Sequence, residues 1–163
     1  MFFVSDTQQD RHKMIRAFLS QDKATVAVLL AAVDFEWSIR RAVLALGGST
    51  TKHIRHSVLG KKDVSGPKGY KDAWNPEIGD HLKITIDQAI PHWGRLIDPD
   101  RGAFRLRNQI AHGIRGSVSL ELATAKVSDF LLASQCLANL AEKYNTSLFR
   151  RIVRRKPRGK ATQ

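Results

Sequence analysis

The sequence predicts an all-α fold, a bundle of four or five helices, on three observations. Apolar residues recur at steps of three and four over long stretches, which is helical periodicity. No segment sustains the alternation of a strand, since the pattern of Val118 and Leu120 around Ser119 is too short to count. The 163 residues, 42% apolar and 26% charged, give room for one domain with its own hydrophobic core. That domain is expected over residues 1–153, with a basic, disordered tail over 154–163. No internal repeat of useful period is present.

Each element has a local reason. Ser5 or Asp6 is expected to cap a first helix ending near Ser20, with Ile15, Phe18 and Leu19 on its apolar side. Asp22 opens a long second helix through Val26, Leu29, Leu30, Val33, Trp37, Val43 and Leu44, which the pair Gly47-Gly48 stops. Residues 49–74, with Gly60, Gly66, Gly69 and little apolar content, are expected to form a long, basic, mobile loop. Asn75-Pro76-Glu77 resembles a cap, a first-turn proline and a dipole-compatible acid. A third helix is therefore expected through Ile78, Leu82, Ile86, Ala89 and Ile90, with a break near His92-Trp93. After Asp98-Pro99-Asp100 a short fourth helix is expected over 101–112, with Gly113 as its terminator. The last helix is expected from 119 to beyond 149. Its buried face would carry Leu122, Val127, Phe130, Leu131, Ser134, Leu137, Ala138, Ala141, Tyr144 and Leu148. Trp37, Trp93 and Phe104 read as core rather than as base-stacking platforms.

Charge narrows the function. Lys and Arg number 27 against 15 Asp and Glu, a net charge of +12. Seven of those cations and no acid lie in the last fourteen residues, and a second basic stretch lies between Lys52 and Lys71. Such an excess favours a polyanion, nucleic acid before anionic membrane, although a merely solubilising tail would look the same. A single cysteine, Cys136, excludes an internal disulfide and a multi-cysteine zinc site. Met1-Phe2-Phe3-Val4 lacks the basic start and cleavage site of a signal peptide, and no apolar run reaches the length of a membrane span, so a cytoplasmic protein is expected.

Several devices are missing. No phosphate-binding glycine motif and no Gly-x-Ser-x-Gly elbow occurs, although Gly60-Lys61-Lys62 superficially suggests the former. His53 and His56 have i, i+3 spacing but no carboxylate companion, so a basic surface loop is a plainer reading than a metal site. No metal or cofactor is expected. What remains is the run from Phe104 to Gly113. Asn108 and His112 are i, i+4 and share one helical face, with Arg107 one residue off it. A guanidinium offers planar donors to phosphate oxygens, an amide orients its neighbours, and an imidazole moves protons near neutral pH. Spacing alone proves nothing, because fifteen arginines and six histidines give roughly 0.6 such pairs by chance. A buried structural histidine capping its own helix is the alternative.

The string Arg107-Asn108-Gln109-Ile110-Ala111-His112-Gly113 resembles the signature of the HEPN superfamily (higher eukaryotes and prokaryotes nucleotide-binding domains). That signature is an arginine, usually a polar residue after it, and a histidine a few residues on. Placement is similar as well, since HEPN domains are small all-α bundles with the motif on a helix before a long last one. The resemblance spans about residues 20–150, and only the seven-residue motif is specific. It points toward stand-alone bacterial HEPN ribonucleases of toxin and phage-defence systems.

The resemblance implies metal-independent cleavage of RNA to a 2′,3′-cyclic phosphate by a homodimer with a composite cleft. His112 would be the general base or acid, Arg107 would stabilise the phosphorane-like transition state, and Asn108 would hold the geometry. DNA would resist, for lack of a 2′-hydroxyl. HEPN domains often place an acid on an early helix near the motif arginine, which makes Asp34, paired with Arg107, a further catalytic candidate. The other reading of Asp34 is a local pair with Arg41 or Ser38. Glu36 with Arg40 reads as an exposed i, i+4 pair with no function. RNA is expected to be held by Arg105, by Lys61 and Lys62 of the loop, and by Arg150, Arg151, Arg154 and Arg155 of the tail. An antitoxin or regulatory protein is a further implied partner. The alternatives are a non-catalytic HEPN module that binds RNA or a nucleotide, and a protein-interaction module.

Overall fold

Thr7 begins the first helix by accepting the backbone N–H of Asp10 on its side chain, so α1 runs Gln8–Ser20. The computed structural model describes residues 7–61, 64–150 and 152, and the expected caps Ser5 and Asp6 lie outside them. After a left-handed Asp22, α2 spans Ala24–Leu46 and ends at Gly47 as its glycine pair predicts. Its buried face is not the expected stripe. Val26 and Val33 are exposed, while Ala24, Ala27, Ala31, Ala32 and Ala42 join Val28, Phe35 and Ile39 in the core. Small residues let a neighbouring helix approach closely, and the neighbour here is the long last helix.

The stretch 49–74, expected as a loop, is largely helical. Thr50 caps α3 (51–58) by accepting the His53 N–H, and this helix closes through a π turn over Ile54–Val58. Helix α4 (66–82) starts beside Pro67 and runs straight through Pro76, where a helix start was expected. Pro76 lacks an N–H and crowds the preceding turn, and the wider π turn over Asn75–Gly79 accommodates it. Left-handed Lys83 ends α4. A capping box of Thr85 and Gln88 opens α5 (Ile86–Ala89), and the expected break precedes α6 (Trp93–Ile97).

Helix α7 (Ala103–Ala111) carries the Arg-Asn-x-x-x-His motif, with His112 as its C-cap and Gly113 at φ 68° closing it. The start of α7 is fixed by Gly102, since a Cβ there would collide with the carbonyl oxygen of Asp98. Ser119 caps α8 (Leu120–Lys143). This helix stops short of the expected end because Asn145 adopts φ 55° and its N–H turns back to the Glu142 carbonyl. Tyr144 is accordingly exposed, whereas Leu148 is buried from a non-helical segment. No strand occurs among the described residues, so the fold is all-α, with more helices than four or five.

The aromatic core holds the motif helix in place. Phe35 of α2 meets Tyr70 of α4, Trp93 of α6, Phe104 of α7 and Phe130 of α8 at centroid distances of 6.5, 6.3, 5.8 and 5.9 Å. One side chain thus ties five helices. Truncating such a buried ring to alanine typically costs about 3–5 kcal/mol.

Candidate nucleic-acid site on the seventh helix

Helix α7 is amphipathic at its own scale. Ala103, Phe104 and Leu106 face the core, and Arg105, Asn108 and His112 face solvent. His112 is thus not the buried capping histidine of the alternative reading. Asn108 and His112 open onto one groove of about 530 Å³, floored by Phe104 and walled by Pro67, Ile97, Pro99 and Ile114. Ile114 is 75% exposed beside His112. Arg105 also lines this groove and donates from Nη1 to the Pro99 carbonyl at 2.6 Å.

Arg107 is turned toward α2. Its Nη2 meets Oε1 of Glu36 at 3.1 Å, and its Nη1 donates to Oδ1 of Asn108 at 3.1 Å. The guanidinium is therefore held between an acid and the amide of the same motif. Asn108, having given its oxygen to Arg107, keeps its amide N–H groups for a ligand. Behind Glu36 lies the buried Tyr70 hydroxyl, pushed up to about 12 by burial and then by the negative charge of Glu36. The guanidinium of Arg40 sits 5.8 Å from the Tyr70 ring.

The acid that meets Arg107 is thus Glu36, not Asp34, and the Glu36–Arg40 surface pair does not form. Asp34 faces the other way. Its Oδ1 takes Nε of Arg11 at 2.7 Å and its Oδ2 lies 3.1 Å from Nε2 of His12, with all three side chains nearly closed to water. Burial acts to raise the Asp34 carboxyl, but hydrogen bonds from His12 and Arg11 outweigh it and hold the group below its ordinary value. Asp34 belongs to a structural ion cluster between α1 and α2, away from the motif. Asp34 and Glu36, two positions apart on a helix, are related by a rotation of about 200°. Asp34 and Glu36 therefore cannot both face Arg107, and only the packing of α1 decides between them. Sequence offered two acids on one helix as its signal for Glu36. Tyr70 had none.

The other expected contacts divide. Lys61 and Arg150 are exposed. Lys62, Arg151, Arg154 and Arg155 lie outside the described residues. The segment leading into the tail is fixed on α2: Arg41 donates from Nε to the Leu148 carbonyl at 2.6 Å and from Nη2 to the Arg150 carbonyl. Phe149 stacks on Trp37 at 5.7 Å and 15°, with the Arg11 guanidinium 5.0 Å from one ring and 5.1 Å from the other. Trp37 is thus half-buried against the C-terminal segment rather than in the core. Arg41 also feels Arg55 of α3, whose charge adds to burial in lowering its pKa. Arg55 of the first basic stretch and Arg150, where the second begins, are therefore both near Arg41 on the C-terminal half of α2.

Among the described residues, no group of three His, Cys, Asp or Glu side chains converges as a metal site, and no helix is long and apolar enough to cross a membrane. Comparison of the chain with protein-family models, with curated proteins and with solved structures finds no match.

Proposed function

We propose that the chain is a HEPN-type endoribonuclease that cleaves RNA by attack of the ribose 2′-hydroxyl. The observation that carries this reading is the clamped Arg107, set between Glu36 and Asn108 on the helix whose exposed end presents His112. Oriented donors that need no rearrangement are what stabilises charge as it develops on a phosphorane-like centre. His112 takes the proton from the 2′-hydroxyl or delivers one to the departing 5′-oxygen. The 2′-oxygen bonds to phosphorus, the P–O5′ bond breaks, and the products are a 2′,3′-cyclic phosphate and a 5′-hydroxyl.

Geometry favours two copies. Arg107 and His112 are five residues apart, about 140° around a helix, so one protomer does not aim both at one phosphate. A second copy facing the groove supplies the missing direction, and exposed Ile97 and Ile114 beside His112 give that contact apolar surface. Arg41, Arg55 and Arg150, which lie near one another, would hold the strand electrostatically.

The test is cleavage of end-labelled single-stranded RNA in EDTA by wild type and His112→Ala. Wild type leaves cyclic-phosphate ends, and the variant loses about 10²–10⁴-fold in rate with its fold intact. Equal cleavage by both proteins would remove His112 from the chemistry. Binding without cleavage would favour the non-catalytic RNA-binding module.

A further inference from the structure

Adjoining the His112 groove along α7 is a second concavity of about 300 Å³. Its cations come from four places in the chain. Arg101 belongs to the turn before α7, Arg105 to α7 itself, Arg115 to the segment after it, and Lys126 to α8. Asp100 is the one carboxylate among its lining residues, and Leu106 and Leu122 give it an apolar floor.

The charges there are largely left standing. Arg105 spends one donor on the Pro99 carbonyl and Arg115 one on the Ser117 carbonyl at 3.3 Å, neither of which cancels charge. Lys126, whose side chain is only 15% exposed, reaches Asp129 no closer than 3.8 Å, and Asp129 is shared with Arg95. Among the described residues no hydrogen bond or ion pair holds the Arg101 guanidinium. Asp98, beside the pocket, takes the backbone N–H groups of Asp100 and Arg101 at 2.8 and 2.6 Å, which fixes the turn that presents Arg101. Asp98 also acts electrostatically on Arg101 and Lys126, so with Asp100 and Asp129 the four cations are partly offset, and an anion relieves the repulsion that remains. Planar guanidinium donors match the oxygens of a phosphate, and the apolar floor suits the sugar attached to it.

We infer that this pocket, formed by Arg101, Arg105, Arg115 and Lys126, is a phosphate-binding site, taking a phosphate of a nucleic-acid strand or of a free phosphorylated ligand. Arg105 and Gln109 line both this pocket and the His112 groove. The two concavities are thus the sides of one ridge, and a strand crossing it seats a phosphate on one side and a nucleotide on the other. That placement rests on the ribonuclease reading, whereas anion binding itself does not.

The experiment uses the full chain and a probe that cannot be cleaved. Anisotropy of a labelled single-stranded DNA dodecamer is followed from 50 to 300 mM KCl, with pyrophosphate titrated separately by calorimetry. Arg101→Ala/Arg115→Ala is compared with Lys13→Ala/Arg16→Ala, which removes the same charge from exposed positions on α1. The pocket variant is expected to weaken DNA binding about tenfold and to lower the salt slope by about 1.4, at roughly 0.7 for each lost phosphate contact. The α1 variant should stay near wild type. Loss of pyrophosphate binding in the pocket variant would identify free phosphate as a ligand, and loss of DNA binding alone would identify strand phosphate. Pocket and α1 variants that match on both probes would overturn the site, as would a wild type that binds neither. No arm depends on RNA cleavage, so an inactive protein would defeat the ribonuclease proposal and leave this one standing.

Discussion

Replacing Asp34 by asparagine separates a structural role from a catalytic one. The Arg11–Asp34 pair is buried at 2% and 0% side-chain exposure, with Nε to Oδ1 at 2.7 Å. Removing one partner of such a buried pair typically costs about 3–5 kcal/mol. Asparagine keeps the shape and one acceptor for Arg11, so Asp34→Asn should fall at the lower end, about 3 kcal/mol, and Asp34→Ala near the upper end. For a chain of this size about 3 kcal/mol corresponds to a melting temperature lower by roughly 6–12 °C. The assay is urea and thermal unfolding followed by circular dichroism, with RNA cleavage measured well below both melting points. Asp34 is held below its ordinary value, so its stabilisation is present above the unfolded carboxylate pKa and is lost as pH falls through the lower folded one. The gap between wild type and Asp34→Asn should therefore close in acid. An Asp34→Asn protein as stable as wild type but defective in cleavage would refute the structural assignment and return Asp34 to the chemistry.

Other outcomes follow from the same geometry. Glu36→Gln loosens the Arg107 tether. Cleavage should fall about 10- to 100-fold through misplacement, while stability changes by less than about 1 kcal/mol because the pair is partly exposed. An unchanged rate would show that the tether is not used. In a Tyr144→Phe background, phenolate absorbance should rise for Tyr70 only at about pH 12. The folded state holds that proton longer than the unfolded chain, so stability should be full below the ordinary tyrosine value and decline above it. Ionisation of Tyr70 at the ordinary value would contradict its burial beside Glu36. Gly113→Ala meets no atom within 4 Å but forces a φ of 68° on an L-residue, which costs about 1–2 kcal/mol and is read from the urea midpoint. No loss there would mean that the end of α7 tolerates another backbone turn.

What was legible in the sequence was the material that local rules govern. Gly47 and Gly113 mark helix ends, Ser119 marks a start, and the Asn108–His112 spacing places both side chains on one face of α7. The failures share a cause, which is that distant packing overrode a local signal. Pro76 reads as a helix start, yet a π turn carries α4 through it. Leu148 fits the helical period of α8 but is buried from a segment that folds back to α2 after left-handed Asn145. The inward face of α2 is built from alanine, which a search for large apolar residues passes over. In the site, arginine, amide and histidine were visible as a motif. The choice of Glu36 over Asp34 was not, because it depends on Arg11 and His12 packing from another helix.

How the arginines find their acceptors explains why the charge survives folding as a field. Arg40 donates to the carbonyls of Leu59 and Val64, Arg41 to those of Leu148 and Arg150, and Arg105 to that of Pro99. A carbonyl satisfies a guanidinium N–H and fixes the side chain without cancelling its charge, whereas a carboxylate does both. Among the described residues, the arginines that meet carboxylates are Arg11, Arg95 and Arg107. Arg11 is buried and needs its counter-ion. Arg107 is kept in one orientation by the acid, while the surrounding surface stays positive. Holding cations rigid and unneutralised costs stability through their mutual repulsion, and under the proposed function that cost would be recovered when a strand's phosphates replace the counter-ions. Added salt should therefore stabilise the free protein and weaken its hold on a strand. A charge of +12 spread over a merely solubilising surface would give neither effect at the positions of Arg40 and Arg41.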